Sequence, residues 1–164
     1  MGVHEKIGKS DEWYTPKFIF DALDVVFDLD VASPTQKTNV PAKQFITENS
    51  LEKEWKGFVW CNPPFGGRNA LVPWVEKFIK HGNGIFLAPD QTSAKWYKQL
   101  SLNTEYMMCL DGRVKFVKPD GTTGDSPANG TNLFSIGIDG WRALNNGNKN
   151  KLGTFYQNIS LRTK

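Results

Sequence analysis

With 164 residues, 39% of them apolar and 23% charged, the chain fits one globular domain of ordinary size. Its formal net charge of +3 is compatible with an anionic partner but does not require one. The two cysteines and two histidines lack metal-ligand spacing, and no apolar run approaches the roughly 20 residues of a membrane helix. Residues 1–11 are polar and mixed in charge, unlike a signal peptide, so the sequence predicts a cytoplasmic protein without a metal ion or a membrane partner.

The first part of the chain predicts a helix followed by a short strand. Residues 1–10 are expected to be a mobile terminus. Thr15 and Pro16 fit the N-cap and the first helical position, and apolar residues recur on one helical face over residues 16–26. Residues 27–32 alternate apolar and acidic side chains, which predicts a strand with carboxylates at its C-terminal end.

The rest of the chain continues to alternate strands with helices. Residues 57–61 form a continuous apolar run, typical of a buried central strand, and this strand leads into a loop that begins at Asn62. We expect one short element at 42–46 and a helical turn at 51–55. Further along, the pattern predicts a helix at 71–80, a strand at 84–89, a helix at 93–102, strands at 106–110 and 113–117 joined by a turn, a loop at 118–129, a strand at 133–138 and a polar tail.

This order of elements is typical of an open, doubly wound α/β sheet, with the late strands as an antiparallel hairpin at one edge. In such a sheet, ligands bind beyond the carboxyl ends of the strands, where both Asp30 and Asn62 are expected. We predict one domain over residues 11–140, preceded by the mobile terminus 1–10 and continued by a polar extension of the same domain over residues 141–164.

The tetrapeptide Asn62–Phe65, Asn-Pro-Pro-Phe, is the most informative motif. The exocyclic amine of adenine is a weak nucleophile, because its lone pair is delocalised into the ring. The side-chain carbonyl of Asn62 and the next backbone carbonyl would hold both amine hydrogens, and the two prolines, Pro63 and Pro64, stiffen the loop that carries them. Phe65 offers a flat face on which a flipped base can stack. A plain turn is the alternative interpretation.

With its surroundings, this loop resembles motif IV of the amino-methyltransferases. Similar segments occur in the same chain order in the phage-encoded DNA N6-adenine methyltransferases, the Dam-like family. They lie within residues 11–138 and are Glu12–Pro16, Phe27–Ala32, Trp60–Phe65, Pro73–Val75, Gly112–Phe116 and Leu133–Ser135. The resemblance implies a Rossmann-like S-adenosylmethionine-dependent methyltransferase fold with a compact, truncated sheet. It also implies transfer of a methyl group from S-adenosylmethionine to the N6 amine of adenine in DNA, by base flipping and direct transfer.

The resemblance further implies roles for individual residues. The catalytic loop would be Asn62, Pro63, Pro64 and Phe65. The cofactor would be bound by Trp13, Tyr14, Thr15, Asp30, Ala32, Ser50 and Asn62. Trp13 to Thr15 would contact its methionine part, and Asp30, the acidic residue of motif I, would pair with its amino group. Core packing is the alternative for Trp13 and Tyr14, and a helix cap or a surface carboxylate is the alternative for Asp30. No covalent intermediate is expected, because Cys61 precedes the loop within a strand.

Double-stranded DNA is the expected partner, and loops would supply the contacts to it. Salt-dependent phosphate contacts are expected from Arg68, Lys95, Arg113, Lys115 and Lys118. Arg113 and Lys115 alternate along a predicted strand, so solvation is the alternative interpretation for these two. We expect the loop at 118–129 to order on DNA. The family further implies action in the cytoplasm of a phage host and a role in restriction–modification.

Two features depart from the family pattern. Residues 30–33 lack the glycine-rich turn that is usual in motif I, and only 32 positions separate Asp30 from Asn62, which is short for a second βα unit with a ribose-binding acid. Candidates for the ribose contact, by location alone, are Glu48, Asn49 and Ser50. RNA or a protein glutamine is the alternative acceptor, and a non-catalytic nucleic-acid-binding protein is the alternative from another functional class.

Overall fold

The structure is a computed structural model that describes residues 13–67 and 69–163, and the predicted mobile terminus at 1–10 lies outside them. The strands in this part are β1 (Phe27–Asp30), β2 (Ala42–Phe45), β3 (Val59–Cys61), β4 (Gly84–Pro89), β5 (Tyr106–Leu110), β6 (Thr131–Ile136) and β7 (Gly153–Gln157). The helices are α1 (Lys17–Leu23), α2 (Val72–His81), α3 (Lys95–Asn103) and α4 (Ile138–Lys149), with a 3₁₀ helix at Ile159–Thr163. The strands form one open seven-stranded sheet, so the architecture is mixed α/β.

The sheet has two parts that differ in strand direction. In the order β2-β1-β3-β4-β6-β5-β7, the strands β2, β1, β3 and β4 run parallel. Strand β6 is antiparallel to both β4 and β5, and β7 is antiparallel to β5. The predicted antiparallel strands therefore lie at one edge, although not as a simple hairpin. Because β6 runs opposite to β4, β6 begins at the edge of the sheet where the parallel strands have their carboxyl ends. The segment that leads into β6 therefore lies at this edge.

Helices cover both faces of the sheet, as predicted. Alternate strand residues point to opposite faces, so Trp60 contacts the side that carries α1 and α4, whereas Val59 and Cys61 contact the side that carries α2 and α3. The Trp60 ring meets the ring of Phe20 edge-on, with 4.9 Å between centroids. Burial on both faces explains the continuous apolar run of β3. Within the described residues, no helix is long and apolar enough to cross a membrane.

Helix α1 is shorter than predicted and has a different N-cap. It ends at Leu23, where Asp24 adopts a left-handed conformation with φ 48°. Pro16 occupies the N-cap position without a side-chain hydrogen bond, so the prediction that Thr15 caps this helix is wrong. The Thr15 hydroxyl instead accepts a hydrogen bond from Asn62.

The predicted strand at 113–117 does not form. Strand β5 has β6 on one side and β7 on the other, so neither of its edges is open to a hairpin partner. The segment leaves the sheet and contributes isolated bridges, in which Val117 pairs with Tyr14 and with Thr123. The following loop at 118–129 is irregular, as predicted.

The polar tail contributes a helix and a strand. The buried face of α4 is formed by Ala143 and Leu144 together with two glycines, Gly140 and Gly147. Gly140 leaves no room for a Cβ, because Ser135 lies against it. Close backbone packing thus replaces large apolar side chains on this face. Because α4 has few apolar residues, hydrophobic periodicity did not reveal it.

Replacement of Gly153 tests whether β7 belongs to the folded unit. Gly153 pairs with Leu110 at the start of β7, and a Cβ there would meet backbone atoms of Cys109 and Leu110. Since backbone atoms cannot move aside as a flexible side chain can, we expect Gly153→Ala to lower the free energy of unfolding by about 1–3 kcal/mol. Urea unfolding measures this change. Gly67→Ala is the control, because nothing lies within 4 Å of a Cβ at Gly67. Equal stability of the two variants would contradict the packing of β7.

Candidate active site

A cleft of about 750 Å³ opens at the carboxyl ends of the parallel strands. Loops that follow β1, β3 and β4 form part of its wall, and the segment that precedes β6 forms another part. Open α/β sheets bind their ligands at this position. The lining residues are Trp13, Ala32, Pro34, Asn62, Pro63, Pro64, Phe65, Gly66, Ala70, Trp74, Pro89, Gln91, Phe116 and residues 125–131.

The predicted catalytic loop lies in this cleft, directly after the buried strand β3. All of its residues, Asn62, Pro63, Pro64 and Phe65, line the cleft. Phe65 has 45% of its surface exposed, so its ring is accessible to a ligand. The Nδ2 atom of Asn62 donates a hydrogen bond of 3.2 Å to the hydroxyl of Thr15. The predicted catalytic loop therefore forms part of the cleft wall.

Asp30 is a buried carboxyl group beside the cleft. It ends β1 with 3% of its surface exposed, and it accepts a 3.1 Å hydrogen bond from the backbone N–H of Ala32, which lines the cleft. Burial raises the pKa of Asp30 to about 7, although hydrogen bonds from Ala32 and Ser33 act in the opposite direction. No lysine or arginine in the described part of the chain forms a salt bridge with it. A buried carboxyl group without a cationic partner suits a ligand that carries a positive charge.

Asp28, two residues earlier on β1, has a different environment. Its carboxylate forms a 2.7 Å salt bridge with Lys43 of β2 and accepts a 2.9 Å hydrogen bond from the backbone of Phe58. These hydrogen bonds hold the pKa of Asp28 below its usual value. Asp28 therefore connects β1 to the segments on either side of it. Of the two carboxyl groups on β1, Asp30 is the one without a salt bridge to another part of the described chain.

The segment at 13–15 reaches the cleft through one exposed ring. Trp13 lines the cleft with 41% of its surface exposed, and its ring covers Gly124 so closely that a Cβ there would collide with it. Tyr14 does not line the cleft and pairs with Val117 through two backbone hydrogen bonds. Thr15 is buried and also does not line the cleft. Of these three predicted cofactor contacts, the structure places Trp13 at the cleft surface.

The three ribose candidates do not line the cleft either. Glu48 and Asn49 are exposed, whereas the hydroxyl of Ser50 accepts a 3.0 Å hydrogen bond from the indole N–H of Trp55. The Trp55 ring stacks against Trp74, with 6.2 Å between centroids, and Trp74 lines the cleft. Ser50 therefore supports a wall residue through Trp55.

Four of the five basic residues predicted to contact DNA lie within the described part of the chain, and none of these four lines the cleft. Exposed among them are Lys95, Lys115 and Lys118. Arg113 is exposed as well, and its guanidinium donates a hydrogen bond to the backbone carbonyl of Ala128. Because Ala128 lines the cleft, Arg113 has a structural contact with its wall. Arg68 lies outside the described residues.

Sequence reasoning missed one part of the cleft wall. Gln91 follows β4, and residues 125–131 lead into β6. The place of Gln91 in the cleft wall could have been predicted, because Gln91 follows the carboxyl end of a strand that the sequence predicts correctly. The sequence predicts that the loop at 118–129 orders on DNA, but it does not place residues 125–131 at the cleft, because the order of elements along the chain does not show that β6 lies beside β4.

Cys61 is a buried thiol with a packing role. It ends β3 and contacts the apolar layer formed with α2 and α3, and burial raises the pKa of its thiol well above the usual value. A thiol that stays protonated is a poor nucleophile. Within the described residues, no group of three or more histidine, cysteine, aspartate or glutamate side chains is placed to hold a metal ion.

Comparison with known proteins identifies the family. The family model described as DNA N-6-adenine-methyltransferase (Dam) matches residues 3–146. No curated protein and no solved structure matches the chain. The matched region contains β1 to β6 and all the described residues that line the cleft, including the loop at Asn62. Since this match covers most of the sequence, the chain belongs to the DNA N-6-adenine-methyltransferase (Dam) family.

Proposed function

We propose that the protein transfers a methyl group from S-adenosylmethionine to the N6 amine of adenine in DNA. The observation that carries this proposal is a single cleft that joins the Asn62–Phe65 loop to the surroundings of the buried Asp30 carboxyl group. The loop suits an aromatic amine, and the carboxyl group suits a ligand with a positive charge. Membership of the Dam family supports the combination.

The residues near Asp30 fit S-adenosylmethionine, which supplies an activated methyl group when bound. An ionised Asp30 would pair with the amino group of its methionine part, and the small side chain of Ala32 leaves space beside this contact. Trp13 offers an exposed aromatic surface in the same cleft. A cleft of about 750 Å³ is also within the size range of ordinary ligand pockets.

The loop after β3 would activate the substrate amine. The side-chain carbonyl of Asn62 and the backbone carbonyl of Pro63 would each accept one amine hydrogen, which draws the nitrogen lone pair out of conjugation with the ring. Pro63 and Pro64 restrict the backbone, so these acceptors are positioned before the substrate arrives. Phe65 would stack on the flipped base. Since Cys61 stays protonated, we propose direct transfer without a covalent intermediate.

The finer fold assignment and the DNA contacts belong to the same proposal. Four parallel strands with helices on both faces are compatible with a Rossmann-like methyltransferase sheet in compact form. Exposed lysines, namely Lys95, Lys115 and Lys118, would contact DNA phosphates in a salt-dependent way. Action in the cytoplasm of a phage host and a role in restriction–modification stay predictions.

Replacement of Phe65 tests the stacking role. Base–aromatic stacking is worth about 1–3 kcal/mol, so we expect Phe65→Ala to lower kcat/KM for DNA by about 5- to 150-fold. Phe65→Tyr keeps the aromatic face and should stay within about threefold of the wild type. Steady-state methyl transfer at saturating S-adenosylmethionine measures both variants. Equal rates for Phe65→Ala and Phe65→Tyr would exclude stacking.

Incubation with tritium-labelled S-adenosylmethionine and unmethylated duplex DNA, followed by nucleoside analysis, tests the proposed function. We expect labelled N6-methyladenine, and an Asn62→Ala protein purified in the same way controls for contaminating activity. Label in RNA or in protein glutamine, with none in DNA, would change the acceptor. Failure to bind S-adenosylmethionine would overturn the proposal and favour a non-catalytic nucleic-acid-binding protein.

A further inference from the structure

We infer that Thr15 is a positioning residue for Asn62, whose side-chain amide it holds with the carbonyl oxygen towards the substrate amine. The inference rests on the proposed function. Its basis is the 3.2 Å hydrogen bond from Asn62 Nδ2 to Thr15 Oγ1, which joins residues 47 positions apart in the chain. Only tertiary structure brings these two side chains together.

The amide of Asn62 needs such a partner because its two ends have opposite hydrogen-bonding character. The oxygen accepts hydrogen bonds, whereas the nitrogen only donates them. A half-turn about the Cβ–Cγ bond exchanges the two ends with almost no change in shape. If the nitrogen faced the substrate, it would oppose the amine hydrogens with further hydrogens and could not assist transfer. A neighbour that accepts a hydrogen bond from Nδ2 therefore supports the productive orientation.

Thr15 is fixed on both sides, so the position of its hydroxyl is well defined. Before it, Tyr14 exchanges backbone hydrogen bonds of 2.8 and 2.9 Å with Val117. After it, Pro16 leads directly into α1. The Thr15 carbonyl accepts a 3.5 Å hydrogen bond from Asn39 Nδ2. Thr15 has 3% of its surface exposed and does not line the cleft, and its hydroxyl accepts the hydrogen bond from Asn62 Nδ2.

This role differs from the cofactor contact that the family resemblance implies for Thr15. A residue that binds the cofactor affects the Kd for S-adenosylmethionine. A residue that orients Asn62 affects kcat when cofactor and DNA are both saturating. Measurement of both constants in the same variant therefore separates the two roles.

Thr15→Val keeps the shape of the side chain but removes the acceptor. We expect kcat to fall about tenfold, the cost of one lost hydrogen bond in the active site, while the Kd for S-adenosylmethionine stays within about twofold. Thr15→Ser retains the hydroxyl and should bring kcat to within about threefold of the wild type. Thr104→Val is the matched control, because Thr104 is buried, donates its hydroxyl hydrogen to the Leu100 carbonyl and does not line the cleft. Its kcat should equal that of the wild type.

Three kinetic results would overturn the inference. The first is an unchanged kcat in Thr15→Val. The second is a Kd for S-adenosylmethionine that rises well beyond this twofold range, which would make Thr15 a cofactor ligand. The third is a loss of kcat that Thr15→Ser fails to restore, because the hydroxyl would then be irrelevant.

NMR of the Asn62 side-chain amide provides a test that needs no activity. Its ¹⁵N–¹H resonances are identified by their loss in Asn62→Ala. We expect them to shift in Thr15→Val and to stay close to their wild-type positions in Thr15→Ser. If the wild type does not methylate DNA, the proposed function fails, and these resonances show separately whether Thr15 fixes the amide. An active wild type with unchanged resonances in Thr15→Val would contradict the positioning contact alone.

Discussion

Asn62→Ala is expected to lose DNA methylation while it keeps its fold and most of its affinity for S-adenosylmethionine. The change removes the side-chain carbonyl that would accept an amine hydrogen, and it leaves the rest of the cleft in place. Loss of one preorganised group that stabilises the transition state costs about 10²–10³-fold in kcat, and we expect at least this loss. Single-turnover methyl transfer measures the rate, and calorimetry measures cofactor binding.

The matched control for this variant is Asn103→Ala. Asn103 is an exposed asparagine whose Nδ2 donates to the Gln99 carbonyl at the end of α3, and it does not line the cleft. Its rate should equal that of the wild type. Substantial DNA methylation by Asn62→Ala would remove the Asn62–Phe65 loop from the mechanism, whatever the effect on cofactor binding.

Asp30→Asn is expected to weaken cofactor binding and, at the same time, to stabilise the unliganded protein at pH 8. Truncation of one partner in a buried charge pair costs about 2–5 kcal/mol, so the Kd for S-adenosylmethionine should rise by about 30-fold or more. In the wild type, affinity should also increase as the pH rises through about 7, because the pairing form of Asp30 is the carboxylate. Calorimetric titration between pH 6 and pH 8, of wild type and variant in parallel, measures both effects.

The stability effect follows from the raised pKa of Asp30. Burial raises this pKa to about 7 from an ordinary value of 3.8, so between these two values the folded protein holds a proton that the unfolded chain has lost. The stabilising contribution of protonated Asp30 to the folded state is complete below about pH 4 and is lost as the pH rises through about 7. The loss amounts to about 4 kcal/mol, since each pKa unit corresponds to about 1.4 kcal/mol. Asp30→Asn cannot ionise and should escape this loss.

Urea unfolding at pH 5 and pH 8 tests the effect without any ligand. We expect the stability of the wild type to fall more between these two pH values than that of Asp30→Asn. Asp111→Asn, at an exposed aspartate, is the control and should follow the wild type. Identical pH dependence in the wild type and Asp30→Asn would show that the Asp30 carboxyl group is hydrated rather than buried.

Hydrophobic patterns in the sequence predicted those strands and helices whose burial shows in their own apolar residues. Strands β3 and β4 are continuous apolar runs because helices cover both of their faces, and this burial requires apolar residues at every position. Helix α2 shows the expected inward face, and Gly82 ends it with φ 76°. The contrary case is α4, whose buried face includes Gly140 and Gly147. A glycine packs closely without any apolar signal, so two of the four buried positions of this helix are not apparent from hydrophobic periodicity.

For the candidate site, the sequence by itself determined which side chains follow each strand, and from these it predicted the chemistry of single segments. Asn62–Phe65 predicted an amine-binding loop, and its place after an apolar strand located that loop at the carboxyl edge of a sheet. Asp30 was found by the same reasoning. These are properties of residues that are adjacent in the chain, and the strand they follow determines where they lie.

Only the tertiary structure decided which distant segments meet this loop. It placed β6 between β4 and β5, which brings residues 125–131 to the cleft and leaves the segment at 113–117 without a strand partner. It also placed the Thr15 hydroxyl against Asn62 and the Ser50 hydroxyl against Trp55. The physical reason is the same in each case. Strand order and side-chain pairing between distant segments depend on how whole helices and strands pack. The sequence of one segment does not specify which other segments will lie next to it.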